Sequence, residues 1–126
     1  MTEDFINKTY TYAIVGASNN PTKYGYKVLK SMRESGYTII PLNPKEENIQ
    51  GTKAYETLES CNGKIDVVIF IVPPQVTEKV LEELNHLKIK KAWMQPGSES
   101  KKAIDYCKNH NIDCIHDTCI MLQKKN

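Results

Sequence analysis

The chain has 126 residues, 40% hydrophobic and 25% charged, which suits one domain spanning 1–126 with its own core and is too short for two ordinary ones. A net charge of +2, with Arg33 the single arginine among 17 basic residues, excludes a nucleic-acid or membrane footprint built on charge. The opening MTEDFINKTYTY lacks the basic-then-apolar layout of a signal peptide, and no run reaches the roughly 18 apolar residues of a membrane span.

Tyr12 to Val15 reads as a first strand. From Tyr24 to Glu34, Val28, Leu29 and Met32 fall on one helical stripe, and Gly36 supplies the C-terminal cap. Tyr37 to Pro41 is a second strand. A polar loop follows from Asn43 to Lys53, then a short helix near Glu56 to Cys61. "IDVVIFIV", Ile65 to Val72, is the most apolar segment, and its lack of alternation marks a strand covered on both faces.

Pro73-Pro74 stops that strand and opens a helix, since proline is tolerated in a first turn. Val76, Val80, Leu84 and Leu87 recur at helical spacing. Lys91 to Met94 is a fourth strand, and Gln95-Pro96-Gly97 a turn. Ser98 or Ser100 caps a helix that holds Ala103, Ile104 and Cys107 inward. Asp113 to His116 is a short fifth strand, and the lysine-rich tail is expected to fray. Strands alternating with helices predict an α/β domain: a doubly wound, mostly parallel five-stranded Rossmann-like sheet with helices on both faces. The expected strand order is 3-2-1-4-5.

Such sheets bind ligands beyond the carboxyl ends of their strands. Four loops leave there: Gly16 to Gly25, Leu42 to Lys45, Val72 to Gln75, and Gln95 to Gly97. Gly16 leaves room for a pyrophosphate against main-chain amides, Ser18 adds a hydroxyl donor and Lys23 a mobile charge. NAD fits poorly, because GxGxxG is absent and Ile40 to Pro44 offers no acid for the ribose hydroxyls. Lys45 stands there instead. The GK[ST] ending of a P-loop is also missing. The loops favour a phosphate-bearing nucleotide other than NAD.

Taken in order, "VGAS" with Lys23 and Gly25, "GYTIIPLNP", "IQGTKAYETL", "IDVVIFIVPP", "KAWMQPG" and "HDTC" run over nearly the whole chain. This set resembles the small stand-alone CoA-binding proteins, whose domain is similar to the N-terminal domain of the succinyl-CoA synthetase α subunit. Pro96 departs from what many relatives carry at that place. The resemblance implies coenzyme A or an acyl-CoA lying across the strand tips. It would put the pyrophosphate on Gly16, Ala17 and Ser18, with Lys23 partnering a phosphate and Gly25 giving the helix a close start. Asn43 and Pro44 would flank the adenosine half. Val72, Pro73 and Pro74 would line the nucleotide groove, with Gln95 and Gly97 nearer the pantetheine.

The synthetase reaction needs a phosphorylated histidine and a nucleotide-grasping partner from other domains, for which this chain has no room. His86 and His110 read as surface residues. Cys114, His116 and Cys119 in "CIHDTC" lack the fourth ligand and tight pairing of a zinc site, so no metal is expected. Cys119 is the candidate reactive thiol, with His116 near it. With no CxxC and no dense framework, Cys61, Cys107, Cys114 and Cys119 read as reduced thiols of a cytoplasmic protein. The first reading is therefore a binding module without catalysis of its own. Two others stay open: a small oxidoreductase or transferase using the same groove, and a regulatory subunit docking to an acyl-CoA enzyme. Self-association is open as well.

Overall fold

The computed structural model describes residues 2–61 and 63–126. A single 3-10 turn, Thr2–Phe5, precedes β1 (Thr11–Val15), α1 (Tyr24–Glu34) and β2 (Thr38–Leu42). Next come β3 (Asn48–Ile49), β4 (Thr52–Lys53), β5 (Val67–Phe70), α2 (Pro74–His86) and β6 (Lys91–Met94). The chain closes with α3 (Lys101–Asn109), β7 (Asp113–Ile115) and α4 (Ile120–Gln123). Five strands form one parallel sheet in the order β2-β1-β5-β6-β7, and β3 and β4 form a separate antiparallel hairpin.

Residues alternate between the faces of the sheet. Ala13, Val15, Val68, Phe70, Ala92 and Met94 pack under α2 and α3, against Leu81, Leu84, Ala103 and Cys107. Tyr12, Ile14, Val67, Ile69 and Trp93 pack under α1 and α4, against Val28, Leu29, Met32 and Ile120. Both faces are thus covered, as the unbroken apolar run at 65–72 requires. The arrangement is an α/β single domain of Rossmann-like type.

Numbered among the five sheet strands alone, the order is 2-1-3-4-5 rather than the expected 3-2-1-4-5. The reason lies in the third of them, β5, whose four residues are all fully buried. An order of 3-2-1-4-5 would leave that strand on an edge, whereas the centre pairs both its sides and covers both its faces. The free edge of β2 is instead closed by Tyr55, which bridges to Leu42. Its N–H donates to the Pro41 carbonyl and its carbonyl accepts from the Asn43 N–H, both at 2.9 Å.

Three local expectations are also corrected. Residues 56–61 form turns and not a helix, because Thr57 and Ser60 satisfy each other's backbone through their hydroxyls, with three contacts of 2.7–3.1 Å. Such side-chain bonds compete directly with the helical ladder. The loop at 43–53 contains the β3–β4 hairpin, whose turn residues Gln50 and Gly51 both take positive φ, 53° and 78°, as a tight hairpin turn demands. The tail is docked and does not fray. Ile120 is fully buried, the Lys125 N–H donates to the Tyr37 hydroxyl at 2.8 Å, and the Lys124 ammonium reaches Ser35 Oγ at 2.6 Å.

The helix termini follow their sequence signals. Gly36 closes α1 at φ 89°, its N–H donating to the Arg33 carbonyl and the Tyr37 N–H to that of Met32. Pro74 is the first residue of α2. Ser100 caps α3, accepting from the Ala103 N–H at 3.0 Å, a contact worth about 1 kcal/mol. Ser98 is buried instead, its hydroxyl accepting from the Val72 N–H at 3.1 Å.

Candidate functional site

Strand register brings the loops level. Val15 pairs with Leu42 and with Phe70, and Phe70 with Met94, so four strands end at one height. The ladder continues one residue further, through Gly16 N–H to the Leu42 carbonyl (3.2 Å), Ile71 N–H to that of Val15 (2.8 Å) and Gln95 N–H to that of Phe70 (3.0 Å). Beyond these tips lies a groove of about 580 Å³ whose walls include Gly16, Lys23, Asn43, Pro44, Val72 and Pro73. It spans the ends of β2, β1 and β5, where the chain's path through the sheet reverses direction. That is where open α/β sheets hold ligands.

Gly16 sits at φ 97°, a conformation side chains rarely adopt, and an added Cβ would lie 2.1 Å from the Ile71 carbonyl oxygen and 2.9 Å from Val72 Cγ1. The loop after β1 therefore lies directly against the exit of β5. Gly25, in the first turn of α1, is held just as closely: a Cβ there would meet the Gly16 oxygen at 2.0 Å. The two glycines together set the helix start hard against the floor of the groove.

The remainder of the loop is braced from within. Ser18 Oγ accepts from the Asn20 N–H at 3.0 Å, and Asn20 Oδ1 from the Thr22 N–H at 3.0 Å. Asn19 ties it to the hairpin, donating to the Asn48 carbonyl at 2.8 Å and accepting from the Gln50 N–H at 2.8 Å. Asn43 braces two tips at once: its amide donates to the Ala17 carbonyl and its oxygen accepts from the Lys45 N–H, both at 2.8 Å. Ala17 itself is fully buried. Among the described residues no carboxylate pairs with the ammonium of Lys23 or of Lys45, and both lysines face the groove.

Other anticipated residues lie elsewhere. Pro74 shapes the start of α2, and Gly97 is exposed at φ 97°, its N–H donating to Glu99 at 2.9 Å. Gln95 is fully buried. Its oxygen accepts from the Ile120 N–H at 2.8 Å, and its amide donates to the Tyr24 hydroxyl and to Cys119 Sγ, each at 3.2 Å. Cys119 is buried too and accepts from the Tyr24 hydroxyl. The thiol thus belongs to a cluster beneath the start of α1, outside the groove lining. His116 contacts its neighbour Asp117, which holds φ 66°.

Of the four apolar positions at helical spacing, Leu84 is buried and Val80 and Leu87 pack partly buried against the core, but the buried face of α2 runs through Thr77, Leu81 and Leu84. The rotation leaves Val76 39% exposed, and both valines form an apolar wall of the groove. The spacing of Leu81 and Leu84 carried that signal, but four β-branched or leucine positions at helical intervals masked it. Glu56, Thr57 and Glu83 complete the far wall. The Glu83 carboxylate is already engaged, accepting from the Leu58 and Glu59 N–H groups at 3.2 Å each.

Burial raises the phenols of Tyr12 and Tyr24 to about 12, with the Cys119 contact adding to the rise for Tyr24. A phenol that holds its proton more tightly folded than unfolded contributes stability below the unfolded value of about 10, and that stability is lost as pH climbs toward 12. Urea midpoints should therefore be flat up to about pH 9.5 and fall steeply between about pH 10 and 12. In Tyr12→Phe the fall should be shallower, and an unchanged slope in that variant would contradict the assignment.

Among the described residues no helix is long and apolar enough to cross a membrane, and no group of three metal-binding side chains converges. The α subunit of acetate–CoA ligase [ADP-forming] II from Pyrococcus furiosus is 38% identical over 119 residues, 86% of this chain but only 26% of the ligase subunit. The uncharacterized protein YneT of Bacillus subtilis is 30% identical over 118 residues, covering 94% of this chain and 87% of YneT. A conserved hypothetical protein from Pyrococcus furiosus superposes with a TM-score of 0.88 at 35% identity, over 90% of this chain and 98% of that one. The family model described as CoA binding domain matches residues 10–125, and the chain belongs to that family.

Proposed function

We propose that this chain binds coenzyme A or an acyl-CoA in the groove across β2, β1 and β5, without catalysis of its own. The observation that carries the reading is the make-up of that groove. Its floor is the Gly16 backbone, two lysines that have no acidic partner among the described residues face into it, and Val76 and Val80 give it an apolar wall. The end of β2 offers Asn43 and Lys45 where an NAD site places an acid. A volume of about 580 Å³ is within the usual range for a small-molecule site. A phosphorylated, partly apolar nucleotide meets each of these features.

Isothermal titration against CoA, dephospho-CoA and NAD tests the reading. CoA should bind, dephospho-CoA more weakly and NAD not at all; no heat with CoA at millimolar concentration would remove it. Lys23→Ala should weaken CoA binding roughly tenfold, the loss of one charge-assisted contact of about 1.4 kcal/mol. The likeness to a ligase α subunit favours a second reading, a subunit docking to an acyl-CoA enzyme. Recovery of one such enzyme with the tagged protein, lost on CoA addition or removal, would support it.

A further inference from the structure

The loop that carries Ser18 and Lys23 is weakly anchored where it leaves the sheet. Ala17 is fully buried, but residues 19–23 are all exposed. Ser18 and Asn20 bond to the loop's own backbone and to Thr22. Asn19 instead reaches another element. Its amide donates to the Asn48 carbonyl at 2.8 Å and to the Glu46 carboxylate at 3.1 Å, and its oxygen accepts from the Gln50 N–H at 2.8 Å.

The element that Asn19 grips is held in turn from its far side. β3 and β4 contribute two residues each, too few for a hairpin that stands alone in water. Ile49 is fully buried in the cluster that contains the inner face of α1. Arg33, in the last turn of α1, sets one guanidinium nitrogen 2.8 Å from the Gln50 carbonyl and the other 3.3 Å from its side-chain oxygen. The Gln50 amide donates to the Tyr26 carbonyl at 3.0 Å, in the first turn of the same helix. The single arginine of the chain thus grips a hairpin turn through neutral oxygens.

We propose that Arg33, Gln50 and Asn19 are positioning residues of the nucleotide groove, which hold the loop bearing Ser18 and Lys23 in place before a ligand arrives. None of the three lines the groove, so they act through the loop. The role rests on the binding proposed for that groove. A loop already fixed loses less conformational entropy when a ligand orders it, and the difference appears as affinity. By linkage, a ligand that engages the loop also tightens the hairpin turn.

Nitrogen-15 relaxation and isothermal titration with CoA, on the whole chain and on two variants, test this. In unliganded Asn19→Ala the order parameters at Asn20, Thr22 and Lys23 should fall from about 0.85 to below about 0.6. The CoA dissociation constant should rise roughly tenfold, as when the competent loop is populated about a tenth of the time. Asn19 is exposed, so Tm should move by less than about 4 °C. Affinity lost without stability separates positioning from a merely structural role. Gln50→Gly keeps the main-chain contacts and suits φ 53°, and it should show the same changes to a smaller degree. In the wild type, saturating CoA should slow exchange of the Gln50 amide. Wild-type order parameters in Asn19→Ala would overturn the proposal, and so would a disordered loop that binds CoA as tightly as wild type. If the wild type takes up no CoA, the groove reading fails, and the order parameters of the unliganded variants alone decide whether these residues hold the loop.

Discussion

Gly16→Ala is expected to destabilise the protein by about 2–6 kcal/mol, from roughly 1–3 kcal/mol of backbone strain and a similar amount of overpacking. The strain arises because alanine must adopt φ 97°, and the overpacking because its Cβ would lie 2.1 Å from a backbone oxygen of the neighbouring strand exit. The carbonyl of a strand-exit residue whose own N–H is held by the Val15 carbonyl cannot swing aside as a side-chain tip can. Gly97 provides the control, since it has the same φ of 97° and a Cβ added there would meet nothing within 4 Å. Gly97→Ala should therefore cost only the strain, about 1–3 kcal/mol. Urea unfolding of both variants checks this. Equal losses would mean that the approach of Gly16 to Ile71 contributes nothing.

Gln95→Leu is expected to cost about 2–3 kcal/mol, although it changes side-chain volume little. The buried Ile120 N–H would lose its acceptor, and the Tyr24 hydroxyl and Cys119 thiol would lose the amide that donates to both. A buried donor without a partner costs more than the bond it made was worth. The damage should concentrate at α4, which is only four residues long and depends on that contact for its first N–H. Hydrogen exchange at Ile120 should accelerate well beyond exchange in β1 and β5. Uniform acceleration across the domain would argue against a local role for Gln95.

Much of the fold was legible because the strongest signals were local. The unbroken apolar run at 65–72 required covering on both faces, and Gly36, Pro74 and Ser100 marked helix ends at the right residues. Strand order was not legible, since it depends on which strand gains most from the centre and on Tyr55 sealing the edge of β2. The turn at 56–61 was missed because Thr57 and Ser60 divert backbone bonds that helical patterning takes for granted.

The groove divides in the same way. Gly16, Lys23, Asn43, Pro44, Val72 and Pro73 could be placed from the strand ends alone, because a parallel sheet brings every such tip to one side. Val76 and Val80 were hidden by the phase of α2, which the apolar spacing alone does not determine. Gln95 was misleading in another manner. The resemblance puts it nearer the pantetheine, whereas in the folded chain its amide is shared among Ile120, Tyr24 and Cys119.

The measurement that bears most directly on the proposed site is a nitrogen-15 amide titration with CoA. Shifts should gather at Gly16, Lys23, Asn43, Lys45, Val72 and Val76, which surround the groove from separate segments of the chain, and they should saturate together. Shifts confined to the opposite surface, for example around Lys27, Lys30 and Lys124, or an unchanged spectrum at saturating CoA, would contradict the account.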